Sequence, residues 1–523
     1  MPVIPRIRLP VVVPSRDPST VDVLVVGGGI NGAGIARELA GRGLSVLLAE
    51  QHDLAQHTSS ASTKLIHGGL RYLEYYEFGL VRKALAERER LLRSAPHIMG
   101  PLSFVMPHDP SMRPAWMIRA GLFLYDHLAR REWLPDSRTV ALRSHVAGAP
   151  LQPRFTRGFV YSDGRVDDAR LVVLCAVDAA ARGARILTRC PCIEAHRDAE
   201  GWTATLAPTG GEPLTVRARA LVNAAGPWTA HFLDERAHVP HTRSLRLVRG
   251  SHIVVPRIYE HGYAYLFQNP DRRIIFAIPY QQRFTLIGTT DVEHEGGLDR
   301  IEATDDEVRY LCEQASRYFL QPVTPADVVW RYAGVRPLLE DEAGNPAAVT
   351  RDYRLVLNTQ DGAPLLNVWG GKITTFRVLA QEAADMLGGA LGWRGSRWSE
   401  TAFLPGGDLR SLLPQLTRPD EDIRRFDAEL ARRHPALPQA VRQRWVHAYG
   451  ARVELLLAAP LGEEIAPGLH EVELHHLHDA EWARSADDVL WRRSKLGLHY
   501  SDAERERVAA WWRRSYGEQA TTA

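Results

Sequence analysis

The sequence predicts an α/β fold in which a parallel βαβ core carries an inserted, mainly antiparallel β domain and is followed by a C-terminal α-helical domain. Three observations predict it. Residues 21–49 read strand, glycine turn, helix, strand, and residues 200–330 alternate strand-like runs with turns. Beyond Leu404-Pro405-Gly406-Gly407 the chain becomes helical in pattern and rich in Arg and Trp. A chain of 523 residues is too long for one core, so several domains are expected.

Val21 to Val26 is a short apolar run, predicted as a buried parallel strand. A helical pattern follows through Ile35, Leu39 and Ala40, and Leu44 to Ala49 reads as the next strand. Helices are predicted over Tyr76 to Leu92 and Ala169 to Ala181. Ser251 to Pro256, Arg273 to Pro279 and Thr285 to Thr289 read as strands of the inserted domain, and Val441 to Leu457 and Asp502 to Arg514 as C-terminal helices. The expected boundaries are a loose Pro-rich tail over 1–20 and a discontinuous βαβ domain over about 21–100, 150–230 and 350–400. The inserted domain takes about 101–149 and 231–349, and the helical domain 401–523.

Composition narrows the function. Hydrophobic residues make up 45% and charged residues 24%, as in ordinary globular enzymes, and a net charge of +2 gives no reason to expect nucleic acid. Four cysteines are too few for a disulfide framework and point to a reducing compartment. Cys190-Pro191-Cys192 has no second Cys/His cluster, and His475-His476 with His478 reads as a helix surface, so no metal site is expected. The tail lacks a continuous apolar region, which argues against a signal peptide, and no run is long enough to span a bilayer. Pro114 to Leu134 mixes aromatic and aliphatic residues with Arg119, Arg130 and Arg131, a composition suited to a helix lying in lipid headgroups or packed on the protein.

Gly27, Gly29 and Gly32 form G-x-G-x-x-G between the first strand and helix. The first glycine permits the tight turn, the second a close approach of backbone to pyrophosphate, and the third helix–strand packing, with the helix dipole facing the phosphates. Glu50 closes the second strand 18 residues beyond Gly32. A carboxylate there accepts from a ribose diol and repels a 2′-phosphate, which disfavours NADP. Two later segments, Leu221 to Trp228 and Val368 to Thr375, add small residues at strand ends. An extended two-ring cofactor needs several such approaches, which favours FAD over NAD.

The block Thr58 to Glu74, reading TSSASTKLIHGGLRYLE, closely resembles a signature of the aerobic FAD-dependent glycerol-3-phosphate dehydrogenases. The resemblance continues through Tyr161-Ser162-Asp163, Val166 to Arg170, Gly250-Ser251-His252 and Gly288 to Asp291. It takes in Gly334 to Pro337, Thr350 to Tyr353 and Ala486 to Arg493, and so covers nearly the whole chain after residue 20. It implies FAD as cofactor, oxidation of sn-glycerol 3-phosphate to dihydroxyacetone phosphate, and electron transfer to ubiquinone or menaquinone. As partners it implies a membrane surface, with the enzyme peripheral on the cytoplasmic face of the inner membrane, and a second copy of the chain. Besides the motif glycines and Glu50, it implies cofactor contacts at Asn31, Thr58, Ser59, Ser60, Lys64, His67, Gly68, Gly69, Ala225, Gly226, Gly371, Lys372 and Thr374.

Oxidising a secondary alcohol means removing a hydride from carbon and a proton from oxygen, with the protein handling the proton. A substrate phosphate calls for fork-shaped cationic donors, and the resemblance implies Arg71, Arg336 and Arg351 for the anion site, with hydroxyls from Tyr72, Thr289 and Thr290. Arg336 would also stabilise a developing alkoxide. His252 is the preferred base, with His67 its competitor, and Lys372 would stabilise an anionic reduced flavin. Three other readings stay open: an oxidase passing electrons to oxygen, a flavoenzyme acting on a carboxylate, and a flavin-binding protein without catalysis.

Overall fold

In the first sheet, Arg185–Leu187, Val46–Ala49, Thr20–Val26, Leu214–Asn223 and Leu365–Trp369 lie side by side in that order, each parallel to its neighbour. The computed structural model describes residues 19–110, 113–271, 273–339 and 352–517. The parallel strands are apolar along their length because helices or further core cover both faces; Thr20–Val26 is buried at every position but its first. Arg354–Asn358 adds an antiparallel edge. The hairpin of Cys192–Arg197 and Trp202–Leu206 extends the sheet from the start of Leu214–Asn223. Helices Ile30–Gly41, Asp168–Ala181 and Phe376–Ala390 pack together over one face.

The second sheet has ten strands and is antiparallel except where Ala264–Gln268 lies parallel to Met99–Pro107. Its centre is the long strand Leu245–Pro256, paired with Phe284–Gly288 on one side and Trp330–Leu339 on the other. Helix Asp305–Ser316 covers one face, and helices Phe78–Ser94 and Ala115–His127 the other.

The division of the chain between the sheets departs from expectation. Leu65–Ile66 and Arg157–Val166 belong to the second sheet, with Arg157–Val166 paired along its length to Met99–Pro107. Arg157–Val166 is buried at eight of its ten positions, so its sequence carries no alternation that would assign it to a half-covered sheet.

The C-terminal helices Pro419–Arg433, Gln439–Tyr449, Glu471–Glu481 and Asp502–Tyr516 enclose their own core around Trp445, Tyr449 and Trp511. The run Val441 to Leu457, expected as one helix, breaks at Gly450. Its φ is +54°, and a Cβ there would lie 2.1 Å from the Gly406 carbonyl oxygen, so the two glycine backbones touch.

Candidate active site

The glycine turn is sterically enforced. Gly27 has φ +110°, and a Cβ on it would lie 2.4 Å from the Ala224 carbonyl oxygen. A Cβ on Gly32 would lie 1.9 Å from the Gly27 carbonyl oxygen. Gly29 caps the helix, and the first helical amide, of Ile30, donates to Ser59 Oγ at 3.0 Å. Glu50 accepts from the Gly28 amide at 2.6 Å and the His52 amide at 2.7 Å. Burial pushes its carboxyl pKa up to about 7, against those two hydrogen bonds.

A second glycine edge faces this turn. Asn31 Nδ2 donates to the Gly370 carbonyl at 3.0 Å, and a Cβ on Gly371 would lie 2.6 Å from that nitrogen. Asn31 Oδ1 is buried with no hydrogen-bond partner. An acceptor left without a donor, between glycine backbones that tolerate no side chain, fits a bound group that brings its own polar edge. Gly226, with φ +60°, opens the turn after Asn223 into free space beside Ala225.

Beyond these edges lies a cavity of about 390 Å³ between the two sheets. Arg71, Tyr72, His67, His252, Arg336 and Lys372 all line it, with Thr58, Ser59, Gly69, Gly371 and Thr374 on the side of the glycine edges. Two absent side chains let the cavity groups in. A Cβ on Gly288 would lie 2.1 Å from the His252 ring, and one on Gly250 would lie 2.4 Å from Arg336 Nη2. Arg336 donates to Thr289 Oγ1 at 3.0 Å and pairs with Asp291 at 3.4 Å. The Lys372 ammonium lies 4.0 Å from the centre of the Tyr72 ring.

His252 is buried, stacked on Tyr332 at 4.9 Å and 13°, with Nε2 3.0 Å from Thr63 Oγ1. Its Nδ1 has no hydrogen-bond partner. Burial, reinforced by Lys64 and Arg336, holds its pKa well below the usual histidine value, so the ring is neutral. His67 is also held low by burial, with Lys372 adding to the effect.

Several expected contacts are used differently. The Lys64 ammonium is buried in an ion pair with Asp168 at 2.8 Å and donates to the Ser60 carbonyl at 2.7 Å, so it fastens the loop rather than presenting a charge. Thr290 accepts from the Ser251 amide at 2.8 Å and donates to Glu307 at 2.7 Å, which commits its hydroxyl to the strand junction; Thr289 faces Arg336 instead. Gly68 is packed against the Tyr125 hydroxyl, to which its amide donates at 2.8 Å. Ser60 lies away from the cavity, its hydroxyl donating to the His57 carbonyl at 3.3 Å. Arg351 lies outside the described residues. Sequence reasoning gave no role to Thr63, Gly250, Asp291 or Tyr332. The first three stand inside the recognised blocks, where they carried a signal; Tyr332 carried none. Among the described residues no cluster could hold a metal ion, and no helix is long and apolar enough to cross a membrane.

The model of the family described as FAD dependent oxidoreductase matches residues 22–377. The chain is similar to a glycerol-3-phosphate dehydrogenase of Pseudomonas aeruginosa, at 51% identity over 93% of this chain and 94% of the relative. It is also similar to a D-erythritol 1-phosphate dehydrogenase of Brucella abortus, at 48% identity over 95% and 98%. Among solved structures it resembles the glycerol-3-phosphate dehydrogenase of Bacillus halodurans complexed with FAD, with a TM-score of 0.76 and 25% identity over 95% of this chain and 91% of that one.

Proposed function

The chain belongs to the FAD-dependent glycerol-3-phosphate dehydrogenase family of FAD-dependent oxidoreductases, and from that premise we propose that it oxidises sn-glycerol 3-phosphate to dihydroxyacetone phosphate. The observation that carries the reading is the meeting, in one cavity, of Arg71, Arg336 and Lys372 with a neutral His252. When bound, FAD supplies the hydride acceptor. Gly27, Gly29, Gly32, Asn31, Glu50, Ser59 and Ala225-Gly226 would hold its dinucleotide half, and Thr58, His67, Gly69, Gly371, Lys372 and Thr374 its ring system.

In this reading Arg71 and Arg336 offer paired donors to the substrate phosphate and to the oxygen that gains charge as the carbinol C–H breaks. His252 takes the hydroxyl proton on Nδ1, while Thr63 fixes the other ring nitrogen. Tyr72 lends a hydroxyl, and Lys372 adds the cation that favours negative charge at the glycine edge.

The electron acceptor proposed is a membrane quinone, ubiquinone or menaquinone. Helix Ala115–His127 buries Leu122 and Tyr125 but exposes Trp116, Met117 and Phe123, and Tyr75, Tyr76 and Phe78 are exposed on the adjoining segment. That apolar, aromatic surface supports peripheral attachment to a bilayer. Four free cysteines support the cytoplasmic face of the inner membrane.

The test is anaerobic reduction. Glycerol 3-phosphate should bleach the FAD-loaded protein, and one that stays yellow at millimolar substrate overturns the reading. D-Erythritol 1-phosphate belongs in the same titration, because a relative this similar bears its name; faster bleaching by the four-carbon substrate would reassign the substrate within the phosphorylated polyols.

A further inference from the structure

A second cavity, of about 310 Å³, lies where the second sheet, the loop after Gln56 and the C-terminal domain meet. Tyr332 lines it and His252 does not, so Tyr332 separates it from the candidate active site. One wall is aromatic. Trp491 stacks on Trp330 at 5.1 Å, Trp330 meets Tyr332 at 4.8 Å, and Tyr332 stacks on His252 at 4.9 Å.

The cations around this cavity are unevenly matched. Arg492 is held by Asp53 and Asp488, and Arg331, half-exposed at the mouth, pairs with Asp305. The carboxylate in the lining, Glu302, pairs with Arg300 at 2.8 Å. Lys495 differs. It is 2% exposed, its ammonium donates to the Trp491 carbonyl at 2.6 Å, and among the described residues no carboxylate pairs with it. Burial, reinforced by Lys64 and Arg492, lowers its pKa to about 8 against the pull of Asp167 and Asp168, which act on it from beyond ion-pair distance and leave it mostly protonated at neutral pH. A buried ammonium that borders a cavity, with Asp167 and Asp168 acting on it only at a distance, is further stabilised by an anion inside that cavity.

We propose that this cavity is a second anion site, which takes the phosphate group of a small phosphate monoester or free phosphate, with Lys495 as counter-ion and Arg331 at the mouth. A tetrahedral oxyanion matches a point-charge ammonium with several donors, and the aromatic wall suits a short carbon chain. The occupant abuts Ser60 and Ala61, and the Tyr332 hydroxyl donates to the Ser62 carbonyl at 2.9 Å. Occupancy is therefore one ring and one loop away from His252.

Equilibrium dialysis of FAD-loaded enzyme against radiolabelled inorganic phosphate tests this. Two saturable sites per chain are expected in the natural sequence, one in Arg336→Ala, and none in Arg336→Ala/Lys495→Met. A single site that vanishes with Arg336→Ala overturns the proposal, as does a second site indifferent to Lys495→Met. If Lys495→Met does not fold, Arg331→Gln at the half-exposed mouth decides: several-fold weaker phosphate binding is expected in the Arg336→Ala background, and unchanged binding overturns it. Displacement of the label by glycerol 3-phosphate at lower concentration than by phosphate itself identifies a monoester as the occupant; the reverse order identifies free phosphate. A failure of Arg336→Ala to remove one site counts against the role of Arg336, not against the second site.

Discussion

Arg336 reaches the cavity because Gly250 has no side chain, and its guanidinium donates to Thr289 and pairs with Asp291. A fixed donor of this kind at a developing charge contributes about 3–4 kcal/mol. Arg336→Ala should therefore lower kcat/KM by about 10²–10³-fold with the flavin spectrum unchanged, and Gly250→Ala should reproduce part of the loss by displacing the guanidinium. Unchanged kinetics in both removes the role. His252 gives a prediction about pH. Its protonated form cannot act as base, and burial with Lys64 and Arg336 disfavours that form, so the acid limb of kcat/KM should lie below pH 6.5. His252→Asn should cost about 10²–10⁴-fold in rate and abolish the limb; a limb that persists in the variant assigns the proton elsewhere. At this scale the sequence was legible where a recognised block marked a position, as for Arg336 and His252, which both line the cavity. It was not legible where neighbours choose between like residues. Thr289 and Thr290 are adjacent and chemically alike; Glu307 and the Ser251 amide, far apart in sequence, settle which hydroxyl is spent on structure.

Elements divide by the same logic. The glycine turn was legible because sterics leave no alternative at Gly27 and Gly32, and the helix that follows is fixed by them. Arg157–Val166 was not, because a strand buried at nearly every position advertises a core but not which sheet it joins. Helix Ala115–His127 lies between these cases: its composition admitted either a lipid-facing or a packed helix, and the fold gives it a buried side at Leu122 and Tyr125 and an exposed side at Trp116, Met117 and Phe123. Each large apolar side chain withdrawn from water contributes about 1.5–3 kcal/mol. Trp116→Ser/Phe123→Ser should thus weaken binding to liposomes by about 10²-fold or more. Flavin bleaching by substrate should persist while quinone reduction on vesicles falls. Full vesicle binding by the double variant would place the contact on another surface.

Across the whole molecule, the C-terminal domain was visible as a change in texture, but its attachment was not, since it rests on buried charges paired over hundreds of residues. Asp53 holds Arg492 and Arg493, and Arg170 holds Glu481. His97 sits in the same junction, 2% exposed, against the Gly406–Gly450 contact and next to Arg170, His447 and Arg452. Burial, with Arg170 and Arg452 adding to it, pushes its pKa down to about 3; His57 falls to about 3 and His261 to about 4, both mainly by burial. A histidine depressed in the folded state binds protons more readily when unfolded. Its stabilising contribution is complete above the unfolded value near 6.5 and is lost as pH falls toward the folded value. Each such group removes up to about 1.4 kcal/mol per pH unit in that window. Glu50, raised to about 7, acts in the opposite direction between its unfolded value and 7, but it is one group against at least three. Tm should consequently fall as pH drops from 7 to 5, in scans of the FAD-loaded protein. His97→Gln removes one of the opposing groups from the domain junction and should make that fall shallower, whatever it does to stability at pH 7. A Tm constant over this range, or the same slope in the variant, would mean that the junction admits water and that His97 titrates like an exposed imidazole.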